Sequence, residues 1–147
     1  MKHDIELLAR GVLVLDGRLL VCHGRKKRNH FLPGGHIEWG EAAAVALKRE
    51  IEEEIGRRCT VGRFLGAAEH TFRWKGRRVC EINLVFDMTV RGLKAGKPVP
   101  SMEKKLEFFW VPLAKLARSK IEPFPLRKEL PSWLRSRGAP WSSSYGR

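Results

Sequence analysis

The chain has 147 residues, enough for one domain that buries about two thirds of its unfolded surface, with 43% hydrophobic and 31% charged residues. No apolar run approaches the ~20 residues that span a bilayer, and the three cysteines have neither the number nor the spacing of a disulfide framework or a zinc site. The net charge of +13 favours anionic partners, whether polyphosphate, nucleic acid or membrane surface.

The first predicted elements are two strands joined by a tight turn. Residues 9–15 and 18–23 are apolar runs, and Asp16-Gly17 between them is typical of a two-residue hairpin. The continuous apolar composition indicates strands buried on both faces. Residues 25–29, Arg-Lys-Lys-Arg-Asn, cannot enter a core. They predict either a solvated loop or a loop that contacts phosphate where a substrate enters.

A glycine-rich turn then leads into one long helix. The turn begins at Gly34-Gly35 and ends at Gly40, residues 41–55 contain neither Gly nor Pro, and Gly56 supplies the stop. At about 100° per residue, the stripe expected to face the core consists of Ala44, Leu47, Ile51 and Ile55.

Three glutamates crowd one edge of this helix. Glu50, Glu53 and Glu54 are neighbours at spacings of three and four residues, where like charges destabilise a helix by about 0.2–0.5 kcal/mol per pair. A hard divalent cation bound by carboxylate oxygens balances three acids better than Arg49 alone does. The alternative is a solvated helix face held by ion pairs. The glycine turn, and Glu41 at the head of the same helix, favour the cation.

This stretch resembles the signature of the Nudix hydrolases, G-x5-E-x7-R-E-U-x-E-E-x-G-U, in which U is a bulky apolar residue. The matching residues are Gly35, Glu41, Arg49, Glu50, Ile51, Glu53, Glu54 and Gly56. Eight matches at fixed spacing make a specific signal. The final apolar position holds Arg57, which lies past the helix stop and carries no carboxylate. That departure concerns packing at the helix exit more than metal binding.

The resemblance implies a fold and a cation site. The implied fold is an α/β/α sandwich with a mixed β-sheet flanked by helices, which agrees with the alternation of strands and helices along the chain. The implied ligands of Mg²⁺ or Mn²⁺ are the carbonyl of Gly34 and the side chains of Glu50, Glu53 and Glu54. The family's chemistry is hydrolysis of a pyrophosphate bond, in which a cation neutralises the phosphates and lowers the pKa of water.

Supporting roles follow from the same resemblance. Glu41 is expected to act through an outer-shell water or by holding Arg49, and Arg49 to orient the carboxylates more than to touch substrate. The base that takes a proton from water is not fixed to one position in the family. Glu50 and Glu103 are both candidates here, with Glu107 in reserve, and Glu103 lies on a Gly/Pro/Lys-rich loop at residues 91–105.

The second half of the chain completes the domain, which we place at residues 1–135. The further elements expected are strands at 59–71, 79–90 and 106–111, a short helix at 112–117 and an amphipathic helix at 126–134. Glu69 and Glu81 on the first two strands either face a substrate cleft or pair with nearby arginines. His36 and Trp39 are expected to be structural. Residues 136–147 are rich in Ser and Gly and are predicted to be disordered.

The predicted function is metal-dependent hydrolysis of a phosphoanhydride bond in a nucleoside diphosphate linked to another moiety. The expected partner is a small-molecule nucleotide, with no membrane, and the expected state is a monomer or homodimer. Because no hydrophobic leader follows the first four residues, we expect a cytoplasmic location. The alternatives are a basic nucleic-acid-binding protein, which no helix-turn-helix, zinc-finger or RNA-binding signature supports, an RNA 5′-end-processing enzyme, and a non-catalytic nucleotide sensor.

Overall fold

The computed structural model describes residues 3–25, 29–138 and 140–145. The strands in these ranges are β1 Ile5–Val12, β2 Val14–Leu15, β3 Arg18–Gly24, β4 Gly34–His36, β5 Cys59–Trp74, β6 Arg77–Val90, β7 Leu106–Pro112 and β8 Trp141–Ser143. The helices are α1 Ala43–Ile55, a 3-10 helix at Leu113–Arg118, and α2 Leu126–Arg135. Each helix and strand expected from the sequence has a counterpart with ends shifted by a few residues, except that the first expected strand is divided into β1 and β2.

The strands form two sheets. The larger has the order β4-β1-β6-β5-β8, with β1–β6 and β5–β8 parallel and the other pairs antiparallel, so it is mixed as predicted. The smaller is antiparallel, in the order β2-β3-β7. The first expected strand, residues 9–15, is interrupted at buried Leu13, where the chain passes from one sheet to the other. The predicted hairpin at Asp16-Gly17 therefore joins only β2 and β3.

The two α-helices lie on opposite faces of the sheets. On β3, Leu20 and Cys22 belong to the apolar cluster that contains α1, while Leu19 and Val21 belong to the cluster that contains α2. Successive strand residues point to opposite faces, so β3 separates the two clusters. This is the α/β/α arrangement expected from the sequence. None of the helices in the described residues is long and apolar enough to cross a membrane.

Helix α1 buries a different arc from the predicted one. Leu47, Ile51 and Ile55 are buried as expected, but Ala46 completes the stripe and Ala44 is exposed. On a helical wheel Ala46 lies about 100° from Leu47, and Glu54 falls between them, about 20° from Leu47. The buried arc is wider because α1 contacts β1, β4 and β5. Glu54 therefore lies on the buried side of the helix, not on an exposed flank.

The C-terminal residues correct a second prediction. Disorder was expected over residues 136–147, of which residues 139, 146 and 147 lie outside the described ranges, but Trp141–Ser143 form β8, parallel to Ala67–Glu69 of β5. Ala67 N–H donates to Pro140 O at 3.0 Å, and Ser144 N–H donates to Glu69 O at 3.2 Å. Unpaired backbone groups along the edge of β5 accept any backbone that reaches them, whatever its side chains. The polar composition of the segment therefore gave no sign of the strand.

Candidate active site

Arg49 lies at the centre of the acidic edge of α1. Its Nε and Nη2 donate to the two carboxylate oxygens of Glu41 at 2.7 and 2.9 Å, a bidentate pair. Nη1 donates to Glu50 Oε1 at 3.0 Å and lies 3.5 Å from Glu53 Oε2. Nη2 also donates to the carbonyl of His36 at 3.2 Å. These hydrogen bonds lower the pKa of Glu41 to about 2, so Glu41 stays ionised and holds Arg49 in place.

The three glutamates of the predicted cation site have different surroundings. Glu53 is open to solvent, with 61% of its side-chain surface exposed, whereas Glu50 exposes 19%. Glu54 Oε2 is buried and has no hydrogen-bond partner in the described residues. The pKa of Glu54 is raised to about 8, first by burial and then by the nearby charge of Glu50, while the charge of Arg10 opposes both effects. Protein groups alone leave this carboxyl poorly satisfied.

The glycine turn makes room for these acids. A Cβ on Gly35 would lie 2.4 Å from Glu50 Cδ, so any side chain there would displace Glu50. Pro33 O and Ile37 N hydrogen-bond to β1, and bonding alternates along an antiparallel pair. The carbonyls of Gly34 and His36 therefore point away from β1, and that of His36 reaches Arg49 on α1. The Gly34 carbonyl is thus directed toward the same side as the acidic edge.

These donors fit a hard divalent cation. Over residues 3–25, 29–138 and 140–145, no three His, Cys, Asp or Glu side chains already stand in a metal-binding arrangement, because Glu50 is turned to Arg49 and Glu53 to solvent. Three features nevertheless match Mg²⁺ or Mn²⁺: carboxylate and carbonyl oxygens as the donors, the unpartnered buried oxygen of Glu54, and the space that Gly35 leaves beside Glu50.

A pocket of about 520 Å³ opens beside this edge. Its walls come from β1, β4, β5, β6, the loop before β4, and the start of α2 with the segment that leads into it. None of the α1 glutamates lines it. Arg10 connects the two regions, because it lines the pocket and its charge also lowers the pKa of Glu54. Arg10 is fixed by hydrogen bonds to Asn83 Oδ1 and Leu32 O, both 3.2 Å, and its guanidinium carbon lies 5.1 Å from the centre of the Phe31 ring.

The sequence gave only weak signals for the pocket residues. Arg10 is a charged residue inside an apolar strand, which is such a signal in retrospect. In sequence Asn83 alternates with the apolar residues Ile82 and Leu84, a pattern typical of a polar strand face, but it is 1% exposed and donates to Glu81 Oε2 and Ala68 O, both at 3.3 Å. Glu81 lines the pocket, so the cleft interpretation of that residue agrees with the structure.

Several other candidates lie apart from the α1 glutamates or carry a different contact. Glu103 is exposed on its loop, close enough for its charge to raise the pKa of Glu54 slightly. Glu107 pairs with His23 at 3.3 Å. His36 pairs with Glu6 at 3.0 Å and also lines the pocket. The expectation that Trp39 packs is wrong, because its side chain is fully exposed.

The predicted basic loop is only partly described. Residues 26–28, which carry most of its charge, lie outside the described residues. Arg25 N–H donates to Lys105 O at 2.9 Å, and Asn29 lines the pocket.

Fold and site together define an α/β/α protein with an acidic, arginine-ordered helix edge beside an open pocket. A family model described as the NUDIX domain matches residues 6–134. This chain belongs to the Nudix family.

Similar proteins agree with this assignment. An ADP-ribose pyrophosphatase of Methanocaldococcus jannaschii is 34% identical over 104 residues, covering 67% of this chain and 58% of that protein. A putative mutator protein MutT4 of Mycobacterium tuberculosis is 36% identical over 85 residues, covering 58% of this chain and 33% of that protein. The chain thus spans between 33% and 58% of the length of these two relatives. The crystal structure of a MutT protein from Methanosarcina mazei shares the fold, with a TM-score of 0.67 at 20% identity over 92% of this chain and 96% of that one.

Proposed function

We propose that this protein hydrolyses the pyrophosphate bond of a nucleoside diphosphate linked to another moiety, with Mg²⁺ or Mn²⁺ held by Glu50, Glu53, Glu54 and the carbonyl of Gly34. The observation that carries the proposal is the state of Glu54. Its buried oxygen lacks a partner and its neighbour Glu50 is also acidic, an arrangement that a divalent cation stabilises. We propose the cytoplasm as its location.

The residues of the acidic edge have different roles in the proposed reaction. A bound divalent cation supplies positive charge that shields the phosphate oxygens and makes water more acidic. Arg49, clamped by Glu41, holds Glu50 at 3.0 Å and so fixes the direction of its carboxylate. Glu50 and Glu103 remain the two candidates for the carboxylate that takes the proton from water.

The pocket supplies the place for the rest of the substrate. Its volume of about 520 Å³ lies within the ~300–1,000 Å³ of typical small-molecule sites. Arg10 stands where the pocket meets the acidic edge, so a ligand whose nucleoside fills the pocket places its phosphates near both Arg10 and Glu54. The Methanocaldococcus jannaschii relative is named an ADP-ribose pyrophosphatase, and ADP-ribose is a nucleoside diphosphate linked to another moiety.

A substrate panel tests the proposal. Nucleoside di- and triphosphates, nucleotide sugars such as ADP-ribose, and dinucleoside polyphosphates are incubated with the protein and either Mg²⁺ or Mn²⁺, and the products are separated by ion-exchange chromatography. We expect a nucleoside monophosphate and a phosphorylated remainder from at least one substrate, and no products in EDTA. Hydrolysis of none of them, or equal hydrolysis in EDTA, would contradict the proposal.

The same panel addresses the basic surface. Single-stranded RNA with a 5′-triphosphate is added as a competitor and as a substrate, since the charge of +13 attracts polyanions of every length. Small nucleotides are expected to be the better substrates. Preferential cleavage at the RNA 5′ end would favour RNA 5′-end processing over a small-molecule substrate.

A further inference from the structure

The residue directly after β8 contacts one of the residues that line the pocket. His70 lines the pocket on β5, and its ring stacks on Phe72 with centroids 5.2 Å apart and planes inclined by 29°. On the other side, His70 Nδ1 lies 2.8 Å from the hydroxyl of Ser144, directly after β8. The same hydroxyl accepts the backbone N–H of Thr71 at 3.0 Å. Ser144 is 7% exposed, so its hydroxyl depends on these two partners.

These contacts determine which ring nitrogen carries the proton. A serine hydroxyl has one hydrogen to donate, and Thr71 N–H already uses it as an acceptor. The hydroxyl has a second lone pair, but if Nδ1–H of His70 donated to it, the hydroxyl hydrogen would have no acceptor among the described residues. Donation of that hydrogen to His70 Nδ1 leaves neither group unpaired. A neutral imidazole that accepts at Nδ1 carries its hydrogen on Nε2. Burial lowers the pKa of His70 and keeps the ring neutral, with Arg10 acting in the same direction and Glu122 against it.

The opposite nitrogen, Nε2, remains for a ligand. In the described part of the chain no group hydrogen-bonds to Nε2, and this atom is not fully buried. Two other polar side chains of the pocket have protein partners, whereas the buried Nδ1 of His30 has none among the described residues. Asn83 bonds Arg10 and Glu81, and Glu122 Oε1 accepts from Arg127 at 3.0 Å.

We propose that Ser144 positions His70 as a hydrogen-bond donor, through Nε2–H, to an acceptor atom of the nucleoside that fills the pocket. The acceptor is a ring nitrogen or carbonyl oxygen of the base. His70 is then a specificity-determining residue, and Ser144 is a positioning residue that touches no ligand. The identity of the ligand rests on the proposed function, whereas the tautomer does not.

The tautomer is tested by nuclear magnetic resonance on the full chain labelled with ¹⁵N. Long-range proton–nitrogen spectra distinguish protonated from unprotonated ring nitrogens, and His70→Gln identifies the His70 signals by their loss. We expect an unprotonated Nδ1 in the wild-type protein and in Ser144→Thr, which keeps the hydroxyl. In Ser144→Ala we expect a mixture of tautomers. Ser143→Ala is the matched control, because the Ser143 hydroxyl bonds Tyr145 N and not His70.

A protonated Nδ1 in the wild-type protein, or the same tautomer in Ser144→Ala as in the wild type, overturns the proposal. Neither result depends on hydrolysis, so the proposed function is untouched by this outcome.

The donor role is tested with AMP, GMP, CMP and UMP as ligands and ribose 5-phosphate as the probe that lacks a base. We expect the His70 Nε2 signal to shift with at least one of the four nucleotides and not with ribose 5-phosphate. For that nucleotide, His70→Ala should weaken binding about 2- to 12-fold, the usual worth of one neutral hydrogen bond. Absence of any shift with all four nucleotides, or an equal shift with ribose 5-phosphate, overturns the donor role.

Discussion

The acidic edge of α1 and the pocket beside it are built in opposite ways. The acidic edge comes from one continuous stretch, residues 34–54, and its groups are charges whose spacing is set by helix geometry. The pocket takes its walls from strands, loops and the start of α2, which lie far apart in sequence, and some of its polar groups are bonded to one another. The groups proposed for the reaction are thus encoded locally, whereas the groups proposed for ligand recognition depend on the whole fold.

The side chain of Arg10 contributes to both regions. It lines the pocket and bonds Asn83, yet its charge also acts on Glu54. If the two regions are otherwise independent, variants of the acidic edge should change turnover and leave nucleotide binding in the pocket intact. Variants of the pocket should do the reverse. The predictions below test that separation.

The largest effect is expected at the acidic edge. Glu53→Gln and Glu54→Gln should each lower turnover at least about 100-fold, because each removes a negative ligand of the proposed cation site. Glutamine has the same shape without the charge, so the fold should be retained. The measurements are kcat on the best substrate of the panel at saturating Mg²⁺, circular dichroism, and binding of the matching nucleoside monophosphate.

Glu52→Gln is the matched control on the same helix. Glu52 Oε1 accepts from Cys59 N–H at 3.2 Å and takes no part in the proposed cation site. The turnover of Glu52→Gln should stay within about twofold of the wild type, since Glu52 makes no interaction that is expected to become stronger in the transition state. Wild-type turnover in both Glu53→Gln and Glu54→Gln would remove the acidic edge from the reaction.

A smaller effect is expected from Arg49→Lys. Lysine keeps the charge but loses the fork that binds Glu41 through two hydrogen bonds and Glu50 through a third. Losing a partner that orients metal ligands typically costs about 10- to 100-fold in metal affinity or activity. A Mg²⁺ titration of activity should therefore require more Mg²⁺ for half-maximal rate.

Arg57→Lys serves as the control for that variant, since Arg57 is exposed just past the end of α1. It should titrate like the wild type. If Arg49→Lys also matched the wild type in both Mg²⁺ requirement and kcat, the positioning role of Arg49 would be refuted. The orientation of the Glu50 carboxylate would then not depend on the guanidinium of Arg49.

The same contrast explains what was predictable from the sequence. The motif from Gly35 to Gly56, the tight turns and the apolar periodicity are local signals, and they led to the family, the mixed sheet and the helices. Burial of Glu54 was missed because it depends on α1 meeting several strands at once. A helical wheel drawn from sequence does not contain those neighbours.

The pocket and the C-terminal strand were missed for related reasons. Asn83 is buried against the expected alternation of its strand, in β6, which is paired on both sides. The strand after Pro140 is formed by backbone pairing with β5, which leaves no mark in a Ser-rich segment. Contacts between residues some 70 positions apart, such as His70 with Ser144, have no sequence signal at all.

The smallest predicted effect is on stability and concerns Glu54 alone. Its pKa is about 8 in the folded protein without cation, against an ordinary value of 4.5 for a glutamate exposed to water, so between these values the folded state binds a proton that the unfolded state has lost. Stability conferred by the protonated form is complete below pH 4.5 and is lost as the pH rises through about 8. In EDTA, the Tm should therefore fall over this range by about 5 °C. In a chain of this size, that fall corresponds to a loss of on the order of 2 kcal/mol in the free energy of unfolding.

Glu54→Gln isolates this contribution from the other groups that titrate in the same range. Because glutamine does not ionise, the variant should lose less Tm between pH 5 and pH 8 than the wild type in EDTA. Mg²⁺ should raise the wild-type Tm more at pH 8 than at pH 5, since the cation competes with the proton for the same oxygens. Identical pH curves for the two proteins would mean that the buried carboxyl carries no linked proton. The acidic edge would then be stabilised by Arg49 and Arg10 alone, and its need for a cation would lose its physical basis.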